Sequence, residues 1–179
     1  MGFCIFNNVA IAGLYARKRY GCERIAVVDF DVHHGNGTQD IFWSDRDLFF
    51  GSTHQMPLYP GTGATSETGV GNVYNAPLRP GDGGERFKEA MQARILPALD
   101  NFRPDIVLIS AGFDAHRDDP LANLRLTEPD FAWATQKIAD IADRYARGRL
   151  VSLLEGGYNL AALAKSVGVH VGALMQASS

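Results

Sequence analysis

Cysteine is scarce: Cys4 and Cys22 are the two in 179 residues, and they form no Cys-x-x-Cys pair. A disulfide-stapled secreted scaffold is thereby excluded, and reduced thiols in a cytoplasmic protein are expected. An excess of one charge is lacking as well. The formal net charge is -3 and no stretch is strongly basic, so no nucleic-acid partner is expected. Runs of consecutive apolar residues are short. Ile106–Ala111 and Leu150–Leu154 fall far below the ~20 residues of a bilayer crossing, so no membrane partner is expected. There is no charged, then apolar, export signal at the start, and no repeat, low-complexity tract or linker. A polar lead-in is also missing. Met1 is followed at once by Gly2-Phe3-Cys4-Ile5-Phe6, so the sequence is expected to open inside a domain.

What is present suffices for a core: 46% of residues are hydrophobic and 21% charged, an ordinary globular balance for one domain over residues 1–179. Asn7 or Asn8 can cap a helix to about Tyr20, with Gly21 as its stop. Arg24–Phe30 is a continuous β-branched run of buried-strand type. Leu48–Ser52, Val73–Pro77, Asp105–Ser110 and Leu150–Leu154 read as further strands. Apolar residues at Phe87, Met91, Ile95 and Leu99 predict a helix from Glu85 to about Phe102. Thr127 and Asp130 open a second long helix with a capping pattern, and Asn159 caps a last one to about Met175. His54–Asn72 is a long loop of a kind that is usually functional. Strands alternating with helices imply an α/β fold with a parallel sheet flanked by helices.

The polar residues with chemistry recur just after buried strands. Asp29-Phe30-Asp31-Val32-His33-His34 follows one, Ala111-Gly112-Phe113-Asp114 another, and Glu155-Gly156-Gly157-Tyr158 a third. Ligands of open α/β sheets bind at the carboxyl ends of strands, so the three segments are expected to converge. In extended backbone Asp31 and His33 would face one side and His34 the other. A carboxylate and an imidazole suit zinc, and Asp114 is the natural third ligand, leaving an open position. Asp-x-His alone is more often a hydrogen-bonded turn; the strand-end Asp114 tips the balance. Tyr158, in a Gly-Gly-Tyr turn that lets a ligand approach closely, could donate to a developing oxyanion.

Together, Asp29-Phe30-Asp31-Val32-His33-His34-Gly35-Asn36-Gly37-Thr38, Ser110-Ala111-Gly112-Phe113-Asp114-Ala115-His116 and Leu154-Glu155-Gly156-Gly157-Tyr158-Asn159 resemble histone deacetylases. Pro60-Gly61-Thr62-Gly63 and Gly2-Phe3-Cys4 agree, with the flavour of class II and of bacterial acetylpolyamine amidohydrolases. The resemblance implies an arginase/deacetylase-like fold and zinc-dependent hydrolysis of an acetylated amine (acetyl-lysine or acetylpolyamine) that releases acetate. Asp31, His33 and Asp114 would hold one zinc per chain, and Tyr158 would be the catalytic donor. Gly2, Phe3, Tyr59 and Leu121 would line the substrate tunnel. Asp29, His34, Asn36, Gly156 and Gly157 would support these groups. The family also implies structural K+: one ion by Asp29, the backbone of Asp31 and His33, and Ser52 with Thr53; a second by carbonyls near Phe42, Asp45 and Leu48.

The family carries a tandem histidine pair upstream of Gly-Phe-Cys, as proton acceptor and donor. Here the sequence starts after that point, so an N-terminally truncated, weakly active or inactive chain is expected. Asp29 and Asn36, which match the partners of that pair, would have nothing to orient. Two rivals remain. An arginase-type binuclear hydrolase needs more carboxylates, but Gly35 and His116 stand at those places. A non-catalytic module that binds acetylated ligands or a partner protein needs no base. Arg117-Asp118-Asp119 reads as a solvated loop, Trp43 and Trp133 as packing, and Cys4 as a reactive or an inert thiol. Homo-oligomerisation stays open.

Overall fold

Five apolar runs become strands in the computed structural model, which describes residues 4–177: β1 (Ile25–Asp29), β2 (Leu48–Gln55), β3 (Val73–Leu78), β4 (Ile106–Ala111) and β5 (Leu150–Leu154). All pair in parallel, in the order β3-β2-β1-β4-β5. Parallel neighbours need crossovers rather than tight turns. Helix α1 (Asn8–Tyr20) leads into β1, and α2 (Asn36–Phe42) joins β1 to β2. Between β3 and β4 run α3 (Gly84–Ala90), a π-helical turn (Met91–Ile95) and α4 (Leu96–Phe102). Helix α5 (Glu128–Ala146) joins β4 to β5, and α6 (Leu160–Ala177) follows.

Alternation along β1 assigns the layers. Ile25 and Val27 pack with Val9, Ala10 and Ala16 of α1 and Phe42 of α2. Ala26 and Val28 face the opposite cluster, with Phe87, Met91, Ile95, Leu99, Phe131 and Ile138. With both faces covered, β1, β2 and β4 are buried along their whole length. Strand β5 forms the edge, and its Val151 and Leu154 are exposed.

The caps sit where the sequence indicated. Asn7 Oδ1 accepts from the Ala10 amide at 2.9 Å, and Gly21 closes α1 at φ 69°. Asp130 accepts from the Thr127 amide and hydroxyl, both at 2.9 Å, and Asn159 Oδ1 accepts from the Ala162 amide at 3.0 Å.

Three features differ from expectation. The helix expected over 85–102 contains the π turn, for which the sequence offers a reason. Phe87, Met91, Ile95 and Leu99 recur every fourth position and would precess by about 40° per step around an α-helix. The wider π turn keeps all four against the core, at most 1% exposed. Strand β2 runs three residues past Ser52, because Thr53, His54 and Gln55 pair with Ala76, Pro77 and Leu78. Finally, α6 is long and apolar enough to cross a membrane, with mean hydropathy 1.3. No consecutive run shows this, because small residues and glycines supply much of the average. The helix lies against α5, burying Ala162, Ser166, His170 and Ala173 at three- and four-residue spacing.

Candidate metal centre

The carboxyl ends of β1, β4 and β5 bring the three strand-end motifs together. Asp29 closes β1 beside Ser52 on one neighbour and Ser110 on the other. Beyond it, the backbone bends rather than staying extended. Asp31 Oδ1 accepts from the His33 amide at 2.8 Å and lies 3.0 Å from His33 Nδ1. Asp31 and His33 therefore meet through a side-chain-closed turn, not through strand alternation, and His34 turns inward away from them. Asp114 enters from the loop after β4; its Oδ1 accepts from the Val32 amide at 2.8 Å.

Asp31, His33 and Asp114 each offer one ligand atom, all within 4.8 Å of one another. Asp114 is fully buried, yet its Oδ2 makes no hydrogen bond, although His33 Nδ1 is 3.1 Å away. A buried carboxylate oxygen without a donor is costly, and a cation among the three atoms would satisfy it. Two glycines make room. A Cβ on Gly156 would lie 2.1 Å from Asp114 Oδ2 and 2.8 Å from Asp31 Oδ2, and one on Gly112 would lie 2.2 Å from Asp31 Oδ2. The Gly156 amide also donates to Asp31 Oδ2 at 2.8 Å, tying the segment after β5 to this cluster. Gly157 follows at φ 149°, in the region that favours glycine.

The electrostatics agree with a cation. Burial pushes the Asp114 carboxyl up to about 7, with the Asp31 charge adding to it. Asp29 is pushed well above the usual range by burial and then by Asp31. Glu155 is also raised by burial, partly offset by the Ser110 hydroxyl that donates to it at 2.9 Å. Contacts with Asp114 and Asp31 push His33 up to about 10. Burial and like charge thus favour the neutral forms of Asp29, Asp114 and Glu155, and a metal among these groups would favour the ionised ones.

Above these groups opens a cavity of about 530 Å³, large enough for a small ligand. Tyr59 and Leu121, expected as tunnel walls, line it with exposed side chains; Gly2 and Phe3 lie outside the described residues. Tyr158 lines it too. Burial foremost, then Asp114, Asp31, Asp119 and Cys4, pushes its phenol up to about 12, so it keeps its proton at neutral pH. The sequence reading missed what positions Tyr158. Asp119, expected in a solvated loop, is buried, and its carboxylate accepts from the Tyr158 amide at 2.9 Å and the Leu121 amide at 2.9 Å. No local pattern announced this contact across 39 residues.

His34 is engaged at both nitrogens, with Thr62 Oγ1 at 2.7 Å and Gln39 Oε1 at 3.0 Å. Gln39 donates to Glu67 at 2.6 Å, and Glu67 accepts the Gly63 and Ala64 amides. This network, with Glu67 unforeseen, fastens the loop after Tyr59 to α2. Asn36 Oδ1 is buried without a hydrogen-bond partner.

The two expected K+ loci differ. Buried Asp29, at the end of β1, lies beside buried Ser52 and Thr53 inside β2, a grouping that suits a cation. At the second locus the carbonyls of Phe42, Asp45 and Leu48 all accept from one protein atom, Asn72 Nδ2. A cation does not fit there unless that amide moves.

Residues 1–174 match the histone deacetylase domain model. The chain is 48% identical over 171 residues to "Histone deacetylase 10, chloroplastic" of Oryza sativa, covering 93% of this chain and 39% of that protein. It is 45% identical over 164 residues to the "Histone deacetylase-like amidohydrolase" of Pseudomonas aeruginosa, covering 89% of this chain and 43% of that one. Among solved structures, the HDA15 HD domain superposes with a TM-score of 0.92 at 39% identity, covering 98% of this chain and 50% of that chain. The chain thus spans half or less of these three relatives. With its parallel sheet and a family model matched over residues 1–174, the chain belongs to the histone deacetylase family.

Proposed function

We propose that the chain carries the metal-binding part of a zinc-dependent amidohydrolase that cleaves an acetylated amine, acetyl-lysine or acetylpolyamine, and releases acetate. The observation that carries this is the Asp31–His33–Asp114 set, with the unsatisfied oxygen of buried Asp114, beside a cavity lined by Asp31, His33 and Tyr158. Two carboxylates and one imidazole with an open side match a catalytic zinc site better than a closed structural one. When bound, zinc would supply Lewis-acid polarisation of the amide carbonyl and acidify water.

The chain's own groups do the rest. The Val32 and Gly156 amides and Asp29 hold the ligand turn, with Asp29 Oδ1 accepting from the Asp31 amide at 3.0 Å. Asp119 aims the Tyr158 backbone, and the phenol, protonated at neutral pH, donates to the oxygen on which negative charge develops. Tyr59 and Leu121 give the methylene chain of the amine an apolar passage and thin the water around the amide. A structural K+ beside Asp29 belongs to the same proposal.

A second reading, a module that binds acetylated ligands without turnover, is favoured by one observation. Of the described histidines, His33 and His34 line the cavity; His33 sits in the ligand set, and both His34 nitrogens are engaged. No described imidazole there is placed as a base. Hydrolysis of an acetyl-lysine peptide, with zinc measured on the same sample, decides between the two. Chelator-sensitive turnover supports the hydrolase. Zinc content and hydroxamate binding without turnover support the binding module, and absence of both removes the proposal.

A further inference from the structure

The turn between α2 and β2 points three backbone carbonyls, of Phe42, Asp45 and Leu48, at one spot. Asn72 Nδ2 occupies it, at 2.8, 3.0 and 2.6 Å from the three oxygens. We infer that Asn72 takes the place of a bound monovalent cation in this chain, its uncharged amide filling a carbonyl nest that would otherwise hold an ion.

The orientation of the amide is fixed rather than arbitrary. Asn72 Oδ1 accepts from the Val70 amide at 3.1 Å, which leaves Nδ2 facing the nest. Reversing the group would set an oxygen against three carbonyl oxygens and a donor against the Val70 amide, which is shared with the Trp43 carbonyl at 3.1 Å. The residue is 4% exposed, so water does not compete for the site. Its own carbonyl is committed to β2, accepting from the Phe50 amide at 3.1 Å.

The nest needs a donor, but the ion pair beside it argues against an added ion. Helix α2 ends at Phe42 without a basic residue in its last turn, so its carbonyl end calls for a donor or a cation. The carboxylate of the turn, Asp45, is already paired with Arg17, whose Nη1 lies 2.6 Å from Oδ2. A cation entering here would meet a neutralised acid with a guanidinium beside it. Two donor hydrogens shared among three acceptors are weaker than an ion at each single contact, but they need no ion from solution. This corner of the fold should therefore be indifferent to K+, whatever the locus beside Asp29 binds.

The inference is independent of the zinc reading, because its readout is cation position and stability rather than turnover. The probe is thallium(I) in place of K+. Anomalous diffraction from crystals of the protein grown in a thallium(I) salt should show no peak at the Phe42–Asp45–Leu48 nest, with or without a peak beside Asp29. A thallium peak within bonding distance of those carbonyls, with the Asn72 amide turned away, overturns it. Asn72→Asp supplies the converse arm. A carboxylate cannot donate to the nest, so the melting temperature of this variant should rise in KCl over choline chloride at equal ionic strength. The rise should exceed that of the unsubstituted protein by about 4 °C or more. Equal salt responses in the two proteins also overturn the inference. If Asn72→Asp does not fold in either salt, the diffraction result alone decides.

Discussion

His170 is the group whose burial has the most calculable consequence. It lies between α5, α6 and β5, with Nδ1 2.6 Å from Thr135 Oγ1 and Nε2 2.8 Å from Ser152 Oγ. The Thr135 hydroxyl donates to the Phe131 carbonyl at 2.7 Å, so it accepts from His170, which places the ring proton on Nδ1. The edges of Phe30 and Phe113 enclose the ring, at 6.0 and 5.6 Å. Burial, with no opposing charge, lowers its pKa from 6.5 to about 4. The unfolded chain thus takes up a proton near pH 6.5 while the folded chain refuses it until near pH 4. Stability from this group is complete above 6.5, falls with falling pH, and levels off below about 4. Integrating between pH 7 and pH 5 gives a loss of about 2 kcal/mol from His170 alone. Urea unfolding of the protein and of His170→Asn, at both pH values, isolates it, because the other titrating groups are common to both. The stability gap between the two proteins should narrow by that amount at pH 5. An unchanged gap, or a nuclear magnetic resonance titration placing His170 above pH 6, refutes the reasoning.

Further outcomes follow from single contacts. Gly156→Ala places a methyl against the Asp31 and Asp114 carboxylates, so metal affinity should fall by ~10–100-fold with little change in circular dichroism, as checked by zinc titration. Phe131→Ala empties the space between Phe30 and Phe113, whose rings lie 5.9 and 5.1 Å away; denaturant unfolding should show a loss of ~3–5 kcal/mol. Thr127→Ala removes half of the α5 capping box and should cost about 1 kcal/mol by the same assay.

The layers and the meeting of Asp31, His33 and Asp114 were legible because both rest on local pattern. A run such as Ile25–Asp29 carries its burial in its composition, and Asp31, His33 and Asp114 follow strands that must end on one edge of a parallel sheet. The supports were not legible. Asp119 reaches the Tyr158 amide, Glu67 reaches Gln39, and Asn72 reaches the turn after α2, each across 24 or more residues and each from a loop. Such contacts depend on how loops pack, which neither periodicity nor capping rules encode. Even the bend at Asp31–His33 replaced the expected strand geometry, because a side-chain acceptor so close in sequence competes with the ladder.

The account turns on a metal at Asp31, His33 and Asp114, and zinc content tests it most directly. Elemental analysis of the protein after exhaustive dialysis should give about one zinc per chain, against a large loss in Asp114→Asn that retains its fold. Equal zinc in both proteins, or none in either, would contradict it.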